Sequence, residues 1–327
     1  LLLFVSLTAL RPAAVWAADT APATSPPPVA HILLVVGAAG TKEFGEAFAE
    51  WTGDWNALSA SEQIPLQVVG QDEPGEQEDK ARIQEWLAGA SSGPETTLWL
   101  VLLGHGTYDG KEAKFNLRGP DVSANELKEW LAPVRQPVVI INAASSSGPF
   151  IASLSGTNRV VVTATRSGDE NNYARFGRYL SRAMGRPDAD LDKDGQTSLL
   201  EAFLHASREV EAWYEQEGRL ATEHALLDDN HDGRGTPADW FEGVRAVKKA
   251  ADGALPDGLR AHQIHLVPSE TERRMPPEIR QRRDALELAL AGLRERKASL
   301  EESVYYGELE DLLVALAGVY DEADRSD

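Results

Sequence analysis

The chain has 327 residues, 52 acidic against 32 basic, a formal charge of -20, 42% hydrophobic residues and no cysteine. The apolar content is enough for a sizeable core and excludes a disordered chain. The missing cysteine excludes disulfides, thiolate metal sites and thiol catalysis, and no Lys/Arg cluster gives the electrostatic footprint of a nucleic-acid binder. The acidic balance suits a well-solvated surface and divalent cations.

The N-terminal stretch LLLFVSLTAL-RPAAVWA is apolar, too short to span a membrane, and ends in small residues. It is expected to be a truncated secretory signal over residues 1–17, with cleavage after Ala17 or Ala18. The alternative is an N-terminal membrane anchor. Residues 18–30, rich in Ala, Pro, Thr and Ser, form a flexible linker. No later segment is long and apolar enough to cross a bilayer, so the mature chain is expected not to be an integral membrane protein.

Five apolar runs predict buried parallel strands: His31–Gly37, Ile64–Val69, Thr97–Leu103, Pro137–Ile141 and Arg159–Thr163. Helical periodicity lies between them. Phe44, Phe48, Trp51 and Trp55 share one face of a helix over Phe44–Trp55. Further helices are expected over Glu78–Leu87, over Ser123–Leu131 with Ser123 and Glu126 as a capping box, and over Asn172–Ala183. Strand–helix alternation predicts a three-layer αβα sandwich with a mostly parallel sheet over residues 31–270. Residues 259–267 are expected to add a last strand. Residues 271–327 form a C-terminal helical region, with Gly307 as the break between two helices.

Two Asp-rich loops follow the fifth strand. Asp190, Asp192, Asp194, Gly195, Gln196, Ser198 and Glu201 fit a twelve-residue EF-hand loop over 190–201: carboxylates at alternating positions converge, Gly195 turns sharply, and Glu201 can chelate with both oxygens. Thr197 stands where an aliphatic residue is usual. The second loop, 228–239, has Asp228, Asn230, Asp232 and Gly233, with Asp239 at position twelve. Gly235 and Pro237 interrupt its second half, and a hydrogen-bonded Asx turn is the alternative. Calcium is the expected cofactor, as a stiffener of a surface rather than a sensor.

The third strand ends in Leu103-Gly104-His105-Gly106, and the fourth leads into Asn142-Ala143-Ala144-Ser145-Ser146-Ser147-Gly148. In open α/β sheets, sites form outside the C-terminal strand ends. At these residues, over roughly 31–180, the chain resembles the caspase-like peptidases, closest to the legumain branch. That family has an apolar strand ending in His-Gly, whose His is catalytic, and a later strand ending in a Glu-Ala-Cys-x-Ser-Gly type motif, whose Cys is the nucleophile. The resemblance places His105 at the catalytic histidine and Ser145 at the nucleophile, and puts Ala143 where the family has Glu. It also makes Arg166, Asp169 and Glu170, after the fifth strand, candidates for a substrate pocket. A surface turn is the other reading of these three.

A serine hydroxyl is far less acidic than a thiol and needs a tightly placed base. The favoured expectation is therefore a pseudo-peptidase that is exported to the periplasm or secreted, binds calcium, and recognises a peptide or protein partner. The first alternative is an active hydrolase, with Ser145 as nucleophile, His105 as base, and the Gly106 and Ser146 N–H groups as an oxyanion hole. The second is a purely structural, calcium-stabilised envelope protein.

Overall fold

The computed structural model describes residues 30–73, 75, 77–90, 96–248 and 255–325. The expected signal (1–17) and nearly all of the linker (18–30) lie outside the described residues.

Strands β1 (Ala30–Val36), β2 (Leu66–Val69) and β3 (Thr97–Leu103) alternate with helices α1 (Lys42–Glu62) and α2 (Asp79–Ala90). A small antiparallel sheet follows, of β4 (Gly106–Tyr108), β5 (Ala113–Phe115) and β6 (Val122–Ser123). Then come α3 (Ala124–Leu131), β7 (Val138–Asn142), α4 (Phe150–Leu154), β8 (Arg159–Thr163), α5 (Phe176–Ala183), α6 (Leu199–Gln216), β9 (Leu226–Asp228) and β10 (Thr236–Pro237). The main sheet runs β10-β9-β8-β7-β3-β1-β2. Its strands β2, β1, β3, β7 and β8 are parallel, and β9 and β10 add an antiparallel edge.

Both faces of the sheet are covered, which is why its strands read as continuous apolar runs rather than alternating ones. One face packs on α1, α5 and α6, and the other on α2, α3 and α4. The inner face of α1 carries Phe48, Trp51 and Trp55, each 1% exposed. Each such side chain contributes on the order of 1.5–3 kcal/mol by leaving water. The Ser123–Glu126 capping box at α3 is present in both directions.

Three expectations are corrected. Residues 259–267 are not a strand. Gly258 takes φ +99° and starts helix α7 (Leu259–His262), and only an isolated bridge joins His265 to Ser198. The helix expected from Asn172 starts at Phe176, because buried Glu223 takes the N–H groups of Arg175 and Phe176. The break in the C-terminal pair is not Gly307, which lies inside a helix. After α8 (Glu270–Arg274), α9 (Pro277–Arg296) and α10 (Glu302–Asp324) are separated by the 3-10 turn Lys297–Ser299.

The pair packs back on the domain. Gln263 donates to the Asp284 carbonyl and Glu287 of α9, and within the C-terminal region Arg283 pairs with buried Glu272 of α8. Among the described residues no helix is long and apolar enough to cross a membrane.

Candidate functional site

β3 and β7 are neighbours in register, so their C-terminal ends bring the His-Gly and Ser-Ser-Ser-Gly segments together. The contact is between backbone and hydroxyl. The Gly106 N–H donates to Ser145 Oγ at 3.2 Å, and the Ser145 hydroxyl donates to the Gly106 carbonyl at 3.3 Å. Ser145 is 3% exposed. A Cβ on Gly106 would lie 2.3 Å from the Ser145 carbonyl oxygen, so this glycine permits one backbone to press on another. Gly148 has the same cause: a Cβ there would meet the Arg166 backbone at 2.4 Å.

His105 is half-buried and faces elsewhere. Its ring lies edge-on to Phe44 and Phe48, at 4.8 and 5.3 Å, and 6.1 Å from Tyr173. Burial pushes its imidazole below the ordinary range, and a hydrogen bond with the Ala39 backbone acts in the opposite direction. Among the described residues no hydrogen bond joins His105 to Ser145.

Ser146 is 1% exposed and takes φ +55°. Its N–H donates to the Glu170 carbonyl at 2.9 Å, and its hydroxyl has no partner. Both N–H groups expected to form an oxyanion hole are thus engaged within the chain. Ser147 ties β7 to β8: its hydroxyl pairs with that of Thr165 at 3.1 Å and accepts the Thr165 N–H at 3.2 Å.

The three pocket candidates form a turn beside the serine segment. The Glu170 carboxylate closes that turn by accepting the Arg166 N–H at 2.9 Å and meeting the Arg166 guanidinium at 3.1 Å. Arg166 and Asp169 are exposed. Glu170 also lies 2.6 Å from Nδ1 of His224, a partner that sequence reasoning missed because His224 sits alone in an irregular segment. Gly168 of this turn lies against the ring of Tyr108, which a Cβ would meet at 2.1 Å.

Two cavities lie away from His105 and Ser145. One, of about 460 Å³, lies between the N-terminal ends of the strands and α9, lined by Thr97, Pro137, Arg260 and Asp284 among others. The other, of about 350 Å³, has Phe176, Leu204, Val210, Glu223, His224 and Phe241 in its lining.

No protein-family model and no curated protein matches the chain. Among solved structures it is similar to the Drosophila initiator caspase Dronc, at 15% identity and a TM-score of 0.41, covering 63% of this chain and 81% of that one. It is similar to caspase-1 from Spodoptera frugiperda, at 8% identity and a TM-score of 0.40, covering 62% and 86%. A protein from Geobacter sulfurreducens is similar at 11% identity and a TM-score of 0.40, covering 62% and 93%.

The first acidic loop is a tight turn. Lys193 and Gly195 take φ of 66° and 90°. Carboxylate oxygens of Asp190, Asp192 and Asp194 lie within 4.8 Å of one another, and a second such group joins Asp192, Glu201 and His262. The Ser198–Glu201 capping box starts α6 at the end of the loop, and the Gln196 side chain accepts the Ser269 N–H at 2.9 Å. Oxygens at this spacing fit a hard divalent cation.

In the second loop Asp228 is buried and Asp232 exposed. Asp239, expected at position twelve, is exposed on the 3-10 turn Ala238–Trp240, and among the described residues no hydrogen bond ties it to the loop.

Proposed function

We propose that the protein is an exported, catalytically silent relative of the caspase-like peptidases, of legumain-like descent. It holds calcium in the loop 190–201 and recognises a peptide or protein partner. The observation that carries this reading is the state of the Ser145 hydroxyl. It gives its proton to the Gly106 carbonyl and takes the Gly106 N–H, so neither role is left for His105. A serine nucleophile requires a base within hydrogen-bond reach. Here the histidine is packed among aromatic rings and turned toward the Ala39 backbone, away from the serine hydroxyl. The Ser146 N–H goes to Glu170 rather than to a developing oxyanion.

Export rests on the sequence of residues 1–17, and calcium on the convergence of Asp190, Asp192 and Asp194. Partner binding is supported by α10, where Tyr306, Leu313 and Tyr320, seven residues apart, are 50%, 46% and 43% exposed. Exposed apolar residues grouped on one helix suit association.

The test is labelling by a broad serine-reactive fluorophosphonate, with and without calcium, beside a Ser145→Ala control. The expected result is no labelling of folded, calcium-loaded protein. Labelling that disappears in Ser145→Ala would replace this reading with an active serine hydrolase.

A further inference from the structure

The second acidic loop has the backbone of the first. At its fourth and sixth positions, His231 and Gly233 take φ of 71° and 72°, against 66° and 90° for Lys193 and Gly195. In the first loop the Lys193 N–H donates to Asp190 Oδ1, the Asp194 N–H to Asp192 Oδ1, and the Gln196 N–H to Asp194 Oδ1, at 2.7, 3.2 and 3.0 Å. In the second, His231 donates to Asp228 Oδ1, Asp232 to Asn230 Oδ1, and Arg234 to Asp232 Oδ1, at 3.2, 2.9 and 2.8 Å.

The loops differ in where the closing carboxylate comes from. In the first it is the twelfth residue, Glu201. Its Oε1 accepts the N–H groups of Leu191 and Asp192 at 2.7 and 3.2 Å, and its Oε2 accepts the Ser198 hydroxyl at 2.9 Å. These donors stand at the second, third and ninth positions. Their counterparts in the second loop are the Asp229 N–H, the Asn230 N–H and the Thr236 hydroxyl. All three go to Asp257, at 2.9 and 3.1 Å to Oδ1 and 2.6 Å to Oδ2. Asp257 is 3% exposed and comes from a separate stretch of chain. It occupies the role that sequence spacing gave to Asp239.

A separate observation points to a ligand. Asp228 is 1% exposed and its Oδ2 has no hydrogen-bond partner. The matching oxygen of the first loop, Asp190 Oδ2, accepts the Gly195 N–H at 3.1 Å. In the second loop the matching N–H, of Gly233, donates instead to Ser155 Oγ at 3.1 Å. A bare carboxylate oxygen at this depth is costly unless a proton or a cation takes it.

We propose that the second loop and Asp257 form a split site for a second calcium ion, with the carboxylates of Asp228, Asp232 and Asp257, the Asn230 side-chain oxygen and the Arg234 carbonyl as its oxygen ligands. Unlike those of the first loop, these three carboxylates do not lie within 4.8 Å of one another, so the ion has to draw them together. These donors are all hard oxygens, as calcium requires. The choice of ion rests on the calcium reading of the first loop. The second ion would also fix α7, which bridges the two loops in space. Asp229 caps α7 by accepting the Gly258 and Ala261 N–H groups at 3.0 and 2.7 Å. At the other end of α7, His262 Nε2 lies 3.0 Å from Asp192 of the first loop.

Calcium stoichiometry, measured by titration calorimetry on chelator-treated full chain, tests the site. Two ions per chain are expected for the parent and for Asp239→Asn. One is expected for Asp257→Asn, and one for Asp190→Asn. Asp232→Ala changes an exposed residue and guards against misfolding of the buried variant, and it too should bind one. The proposal is overturned if Asp232→Ala and folded Asp257→Asn still bind two, or if Asp239→Asn binds one. A parent that binds one ion, lost in Asp190→Asn but kept in Asp232→Ala, would sink this site and leave the first loop standing. The reverse pattern would sink the first loop alone, and a parent that binds none would sink both.

Discussion

Replacing Glu223 by Gln should flatten the pH dependence of stability. Glu223 is 3% exposed and accepts the N–H groups of Arg175 and Phe176, at 2.7 and 3.0 Å, and the Tyr214 hydroxyl at 3.3 Å. Burial outweighs these donors and pushes the carboxyl from an ordinary 4.5 up to about 7. Between those two values the folded chain holds more protons than the unfolded chain. Stability is therefore fully present below the unfolded value, falls as pH rises through the window, and levels off above about 7. At roughly 1.4 kcal/mol per pKa unit, the loss is about 3 kcal/mol. Glu223→Gln keeps an acceptor oxygen for the start of α5 but does not titrate. Urea unfolding of both proteins, from about pH 4.5 to about pH 8, should show the parent losing about 3 kcal/mol more than the variant. The comparison cancels the contributions of Asp229 and Asp257, which burial also pushes up. Parallel profiles would refute the reasoning.

Gly106→Ala places a Cβ 2.3 Å from the Ser145 carbonyl oxygen and 3.1 Å from that of Lys114. It should cost about 1–3 kcal/mol of stability. An unchanged melting temperature would mean that the two strand ends stand apart in solution. Asp79, 4% exposed, takes Arg118 in a two-pronged pair at 2.7 and 2.8 Å. Asp79→Ala should cost about 3 kcal/mol, read by urea unfolding, because the guanidinium loses its buried partner. Calcium at a hundredfold excess over its Kd should stabilise the parent by about 2.7 kcal/mol per site. Glu201→Gln should lose the first loop's increment in a thermal melt, and an undiminished shift would count against that loop as a ligand set.

Much of the fold is legible in short stretches of sequence. Trp51 and Trp55 mark the inner face of α1, Ser123 with Glu126 marks the start of α3, and the Val/Ile/Leu runs mark β3, β7 and β8. The Asp190–Glu201 spacing likewise marks a loop whose turn is present. Each of these signals is local, because periodicity, capping and turn formation are settled by residues within a few positions of one another.

The sequence by itself determined the alternation of strands and helices, the meeting of His105-Gly106 with Ser145 at neighbouring strand ends, and the turn of the first acidic loop. Only the tertiary structure decided what those groups do when they meet. The Ser145 hydroxyl turns to the Gly106 backbone rather than to His105, and the second loop is closed by Asp257 rather than Asp239. A hydrogen bond worth about 1 kcal/mol net can decide which partner a hydroxyl or carboxylate takes. The candidate partners come from segments far apart in the chain, brought together by burial of the core, and no local spacing carries that choice.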